Sequence, residues 1–399
     1  MDIRGAFRHY CPFYLKNSMT KYQFDVDRDS LKASADPILV GAVFLLVGLG
    51  LVTLYSASFA FSDRFFHDGL YFLKRQLAYA ALGLFLFLLA SRVNLELIRR
   101  FIGPLVLGVL FLCLLTFLPG IGVSKNGASR WIRIGSSTYQ PSELVKVVLP
   151  IYLAHIFDKK KDRMDNFFTG VLPPTLVTAM FFLIIYFQNN FSTASFILVN
   201  ALVIFFLAGL KLRYFFAAAL LTTPLSLLLV LTKEHRLRRL MTFISPDWDP
   251  LGAGYQVRSS ILTIVSGGWW GKGIGQGTRK IASVPEIHSD FIFSAFAEEA
   301  GLIGVVLFFA LFGIFAVRSF RAALWSDRIF HRLLACAMGT IIASQGLLNV
   351  AVVSGALPAT GVPLPFFSAG GSSLATMLFS AGLIVNISRQ SQKPEVFHV

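Results

Sequence analysis

The chain has 399 residues, 55% of them hydrophobic and only 14% charged, with a mean hydropathy of +0.67, which excludes an ordinary soluble domain, where about a quarter of residues are charged. Its formal charge of +15 invites a nucleic-acid reading, but most basic residues lie in short connectors between apolar runs, where they set membrane orientation. No nucleic-acid partner is expected.

The apolar runs are continuous rather than alternating, and about 17 to 25 residues suffice for a helix to cross a roughly 30 Å hydrocarbon core. They imply an all-α polytopic membrane protein. Residues 1–36 form a polar tail, too long and too poor in apolar residues for a cleavable signal peptide, so the first span is an uncleaved anchor. About ten transmembrane helices are expected, at roughly 37–57, 76–92, 101–121, 141–157, 168–187, 192–210, 214–232, 295–317, 333–354 and 371–388. An even number places both termini on one side. That side collects 21 of the 36 Lys and Arg residues, so the tails 1–36 and 389–399 are expected in the cytoplasm. Residues 37–388 read as one membrane domain without repeats. Cys11, Cys113 and Cys336 lack metal-ligand spacing and read as small hydrophobes.

One large extracytoplasmic loop, about 233–294, separates helices 7 and 8 and carries eight basic residues. Long loops translocate largely regardless of charge, and the charge hints at an anionic ligand outside. The loop holds Arg236, Arg238 and Arg239, then Gly267-Gly268-Trp269-Trp270-Gly271-Lys272-Gly273. Glycines let backbone approach a ligand and Lys272 suits a phosphate; equally, the segment reads as a surface turn with tryptophan anchors. Upstream, Pro141 suits the first turn of a helix and Ser142 a cap. Glu143 and Lys146 share a helix face, either as a structural ion pair or lining a polar cavity with Asp290. Glu298 and Glu299 open the eighth span, where the macrodipole favours acidic residues. Asp290 stands where the loop re-enters hydrocarbon, beside His288 and Ser289. Desolvation there would raise its pKa toward that of a general base.

Ordered motifs then give a resemblance. Tyr55-Ser56-Ala57-Ser58, Asn126-Gly127 through Arg130-Trp131, Gln140-Pro141-Ser142-Glu143, Gly254-Tyr255-Gln256 and Gly271-Lys272-Gly273 come first. Pro285-Glu286 with Asp290-Phe291-Ile292-Phe293, Leu357-Pro358, Pro363-Leu364-Pro365-Phe366 and Ser368 with Gly370-Gly371-Ser372-Ser373 follow. From about residue 37 to 388 the chain resembles the SEDS family of bacterial cell-wall synthesis, the FtsW/RodA group. The resemblance implies a ten-span peptidoglycan glycosyltransferase acting on lipid II in the bacterial inner membrane. Asp290 falls on the family's essential aspartate, a general base for the acceptor sugar's 4-hydroxyl; undecaprenyl pyrophosphate is released. Arg130, Lys146, Arg239, Arg258 and Lys272 become candidates for the pyrophosphate, with Glu143, Glu298 and Glu299 in the same substrate-binding group. A divalent cation, Mg or Mn, could assist. The expected partners are a class B penicillin-binding protein and other divisome membrane proteins.

The family's Gln-Pro-Asp-Leu-Gly-Thr run is here Gln188-Asn189-Asn190-Phe191-Ser192-Thr193, without the aspartate. The N-terminal tail and Lys280–Glu286 look more like the septal branch, while Gly361–Pro365 also suits the elongation branch. A lipid II flippase, or a scaffold that only recruits the penicillin-binding protein, remains an alternative.

Overall fold

The computed structural model describes residues 34–125, 127–135, 137–164, 166–216, 220, 222, 224, 231–245, 252–278 and 287–391. Nearly all of both tails, most of the expected seventh span and the Lys280–Glu286 segment lie outside them.

Helix α1 (Pro37–Phe66) begins where proline is tolerated, at the first helical position, and Asp36 caps it by accepting from the Ile38 and Leu39 amides. Its 30 residues span about 45 Å, longer than a hydrocarbon core. Then come α2 (Tyr71–Ala90), the short α3 (Leu95–Arg100) and α4 (Ile102–Leu115). A three-stranded antiparallel sheet follows, which the apolar pattern did not announce: β1 (Gly122–Lys125), β2 (Ala128–Ile134) and β3 (Ser137–Tyr139), in order β1-β2-β3. Helix α5 (Pro141–Lys159) carries Glu143 and Lys146 into the bundle. Helices α6 (Leu172–Phe187) and α7 (Phe191–Leu207) pack on one another. Between α7 and the next long helix, the described residues include α8 (Glu234–Ile244) and α9 (Ala253–Ser266). Helices α10 (Ile292–Leu324), α11 (Ile329–Val353) and α12 (Gly371–Ser391) complete the chain.

Among the described residues, six helical segments of 20 to 33 residues are long and apolar enough to cross a membrane: α1, α2, Phe167–Phe187, α10, α11 and α12. α4 and α7 are shorter apolar helices. Leu45, Phe85, Leu107 and Leu307 face outward with 60% or more of their surface exposed, an arrangement that lipid tails solvate and water does not. The buried core runs through α1, α2, α5, α10, α11 and α12.

Polar clasps fix how the helices run. Arg318 of α10 grips Asp36 with two hydrogen bonds of 2.7 and 2.8 Å, and Ser56 of α1 donates to Glu299 of α10. Early α1 therefore meets late α10, so the two run antiparallel. Gln76 of α2 donates to the Ser368 carbonyl just before α12, and Asn386 of α12 to the carbonyls of Ala90 and Val93. Those helices run parallel. Cys113 and Cys336 are free and buried in the core.

Two expectations about helix starts are corrected. α10 starts at Ile292 rather than near 295, so its first turn is free of acidic residues and Glu298 and Glu299 fall in the second. They are buried partners of other groups, not dipole caps. Pro141 does open α5, but Ser142 lies inside its first turn and accepts from Gln140 Nε2 at 2.9 Å.

Candidate functional site

Asp290 lies in the short segment Ile287–Phe291 that feeds α10, held from both sides. His288 accepts through its carbonyl from the Ala369 amide at 3.0 Å, and its ring packs against Phe61 and Phe72. Asn349 of α11 donates at once to the carbonyls of Asp290, at 2.8 Å, and Val362, at 2.9 Å. One buried amide thus ties the Asp290 backbone to the chain after α11. Ser289 donates its hydroxyl to Asp290 Oδ1 at 3.0 Å. On the other oxygen, a Cβ at Gly361 would stand 3.3 Å from Oδ2. Gly361 has a φ of 73°, and glycine supplies both this conformation and the space.

Three basic groups feel the Asp290 charge: Arg130 from β2, Arg239 from α8, and His288. Burial lowers the pKa of each, and Asp290 pulls it back up; for Arg130, the nearby Arg239 adds to the lowering. Among the described residues, two guanidiniums, which stay protonated in proteins, thus share one carboxylate. Arg239 has exposed surface although its guanidinium is crowded by protein, so its desolvation is partial; it donates to the Ala359 carbonyl at 3.2 Å. Arg130 lies over the Trp131 ring at 4.3 Å and donates to Asn190 Oδ1 at 3.4 Å. Arg236 is buried, donating to the Tyr186 hydroxyl at 3.1 Å between the rings of Tyr186 and Phe191.

Glu143 and Lys146 are a buried ion pair at 2.7 Å, with side chains 4% and 2% exposed. Lys146 also donates to Gln345 of α11 at 2.8 Å, and Gln345 to the Pro363 carbonyl at 3.0 Å. Gln345 and Asn349 are one helical turn apart and grip successive carbonyls, Pro363 and Val362. The pair is thereby coupled to Asp290 through backbone, not through direct contact. Lys146 also borders a cavity between α5, α7 and α11, beside Phe196, Asn200 and Ile341.

The glycine-rich loop serves as a clasp. Gly301 breaks the α10 helix at φ 63° and ψ −171°, and the loop docks on that break. The amides of Lys272 and Gly273 donate to the carbonyls of Glu298 and Glu299, and Leu302 and Ile303 donate back to Gly268 and Trp269. A Cβ on Gly271 or Gly301 would strike the other segment's backbone. Lys272 pairs with Glu298 at 2.8 Å, and Glu299 accepts from Ser56 and the Gly275 amide. Trp269 and Trp270 project with 70% and 83% of their surface exposed. Arg258 is exposed on α9. Of the candidates, then, the structure brings Arg130 and Arg239 to Asp290, and gathers Lys272, Glu298 and Glu299 into a separate cluster. Asn349 and Gln345 were missed; their signal was two polar residues four apart in an apolar span, a pattern that marks internal pairing.

Among the described residues, no group of three or more His, Cys, Asp and Glu converges in a way that could hold a metal. The basic groups described beside Asp290 are two guanidiniums and the His288 imidazole; Mg and Mn take oxygen ligands, and the described residues form no protein cage of such ligands there.

The family model described as cell cycle protein, FtsW/RodA/SpoVE, matches residues 37–393. The chain belongs to this family. It is 40% identical over 353 residues to a probable peptidoglycan glycosyltransferase FtsW of Geobacter sulfurreducens, covering 88% of this chain and 95% of that one. It is 35% identical over 361 residues to stage V sporulation protein E of Bacillus subtilis, covering 90% and 99%. Among solved structures, it is similar to a chain from work on the structural coordination of polymerization and crosslinking by a peptidoglycan synthase complex (TM-score 0.74, 28% identity, covering 90% and 99%). It is also similar to the rod shape determining protein RodA of Thermus thermophilus (TM-score 0.66, 27% identity, covering 90% and 98%). Family and apolar helices together make it a multi-pass membrane protein.

Proposed function

We infer that the chain is a peptidoglycan glycosyltransferase that polymerises lipid II during septal wall synthesis. The relatives named FtsW support the activity and the division role. The observation that carries the site is the meeting of Asp290 with Arg130 and Arg239, a carboxylate set among cations. Asp290 accepts the proton of the acceptor sugar's 4-hydroxyl as that oxygen attacks C1 of the donor sugar. The bond from C1 to the pyrophosphate breaks, and its electron pair leaves with the lipid-linked pyrophosphate. Inversion turns an α link into a β-1,4 bond. Arg130 and Arg239 counter the charge that develops on the leaving group, which is where fixed cations lower a barrier most. Ser289 donates to the carboxylate, and the Asn349 amide fixes the Asp290 backbone through its carbonyl.

Ten spans with both termini in the cytoplasm would set this recess at the outer face of the inner membrane, where lipid II is presented. A class B penicillin-binding protein would then receive the strands, a role supported by the likeness to a chain of a peptidoglycan synthase complex. The test supplies lipid II to the full-length protein purified with its transpeptidase. Glycan strands from wild type and none from Asp290→Asn are expected. Equal polymerisation by the variant would remove Asp290 from catalysis. Transfer of lipid II between leaflets without polymerisation would replace the enzyme with a flippase.

A further inference from the structure

Helix α1 is longer than the core it crosses. Counted from Pro37, about 20 residues cover a roughly 30 Å hydrocarbon layer. Residues 58–66 therefore stand beyond it, at the end of the bundle that holds Asp290. The chain then turns tightly into α2. His67 closes α1 in a left-handed conformation at φ 53°. Asp68 accepts from the Leu70 amide through its side chain and from the Tyr71 amide through its carbonyl, both at 3.0 Å. A Cβ on Gly69 would strike the Phe59 ring, so glycine lets the turn lie close on the helix. These bonds give the hairpin tip a fixed shape.

A run of rings covers that tip and reaches the site. Phe65 packs on Phe61 with centroids 4.5 Å apart, and Phe66 stacks on Tyr71 at 4.1 Å and 5°. Phe72 touches Phe61, Phe66 and Tyr71. Phe61 and Phe72 in turn flank the His288 ring at 5.1 and 4.3 Å, two residues from Asp290. The cluster is not a closed core, because Phe61, Phe65 and Phe66 keep 40%, 60% and 44% of their surface exposed. Nor do lipid tails account for that exposure. Asp63, Arg64, His67, Lys74 and Arg75 are exposed on the same tip, and charges avoid hydrocarbon. Arg64 and Arg75 lie 5.8 Å over the Phe65 and Tyr71 rings. Exposed rings interleaved with charges suit a ligand with an apolar face and polar edges.

A β-1,4-linked sugar strand has that form. Its substituents are equatorial, so each sugar offers a slightly positive face of C–H bonds to the negative face of an aromatic ring. Its hydroxyls and amides point sideways, toward water and the two arginines. The rings lead away from His288, so they meet sugars beyond the two that react at Asp290. We propose that Phe61, Phe65, Phe66, Tyr71 and Phe72 form a stacking shelf that holds the nascent glycan strand between additions. The shelf rests on the polymerase reading and adds processivity to it. It acts on how long a strand grows, while Asp290 acts on each bond.

The experiment uses the full-length protein with its transpeptidase, crosslinking blocked by a β-lactam. It reads strand length on gels and the rate at which the first two lipid II molecules join. Phe65→Leu/Phe66→Leu keeps apolar bulk but removes two ring faces, whereas Phe65→Trp/Phe66→Trp enlarges them. Melting temperatures establish folding, and Phe65→Leu alone repeats the test should the leucine pair melt early. Mean strand length is expected to fall at least about threefold in the leucine pair, with first joining changed less than about twofold. The tryptophan pair should match or exceed wild-type length. Wild-type length in the leucine pair overturns the shelf, as does an equal fall in both readouts, which would put the rings on the reacting sugars. Loss of transpeptidase co-purification would make this a protein docking face and also overturn it. If wild type polymerises nothing, the enzymatic reading fails, and binding of a β-1,4-linked N-acetylglucosamine hexamer, followed by saturation-transfer NMR, decides the shelf alone. Binding at least about fivefold weaker in the leucine pair supports it; equal or absent binding overturns it.

Discussion

Replacing Lys146 with methionine tests whether the α5–α11 network is a brace. The lysine and Glu143 lie 2.7 Å apart with almost no exposed side-chain surface. At an effective dielectric of about 20, their attraction is roughly 6 kcal/mol before desolvation is subtracted. Lys146→Met leaves the Glu143 carboxylate without its cation, and its Oε2 is already without a hydrogen bond. Breaking a buried pair from one side costs about 3 to 5 kcal/mol. Methionine roughly conserves volume, and its sulfur can stay against the Phe196 ring that Lys146 Nζ faces at 5.6 Å, so a cavity is not the cause. The double variant Glu143→Gln/Lys146→Met removes both charges and should be more stable than Lys146→Met by at least about 1 kcal/mol. Unfolding in mixed SDS–maltoside micelles measures both. A single-variant loss below 1 kcal/mol, or additive losses in the double variant, would refute the brace.

Gly301→Ala forces a Cβ into the Gly271 backbone at a positive φ and should cost more than about 2 kcal/mol; a neutral melting temperature would mean the loop does not dock on the α10 break. Asp36→Asn keeps an N-cap but loses the charged clasp with Arg318, an expected loss of about 1 to 3 kcal/mol, read by the same unfolding assay and contradicted by wild-type stability. Burial holds His288 below the ordinary histidine value of 6.5, with Asp290 opposing. The unfolded chain therefore takes up that proton first, and stability falls as pH drops below about 6.5; His288→Gln should flatten the slope, and an unchanged slope would assign it elsewhere. Lys272→Gln should lower stability more than substrate affinity and Arg239→Gln the reverse, checked by melting temperature against KM; matching effects would erase the division between clasp and recess.

Spans long and apolar enough to be lipid-solvated were legible because a hydrocarbon core imposes a length and a composition on any helix that crosses it. The α1, α10 and α11 spans follow from that constraint. What the pattern could not show lies where water and protein both solvate the chain. The β1–β3 sheet and α8 sit in such places, and their form depends on contacts made far along the chain, such as Asn189 donating to the Gly127 carbonyl. Asp290 was legible as a costly charge at a boundary. Its neighbours were not, because Arg130 and Arg239 stand 160 and 51 residues away in sequence, and only folding brings them within reach.

The basic residues of these segments divide by what each cation faces. Lys272 spends its charge on Glu298, Lys146 on Glu143, and Arg236 is stacked between two rings. A cation already matched by a fixed carboxylate offers little field to an incoming anion, whereas Arg130 and Arg239 share one carboxylate between them. That sharing also bears on Asp290. Flanking cations favour the ionised form of such a carboxylate, which opposes the effect of desolvation at this boundary.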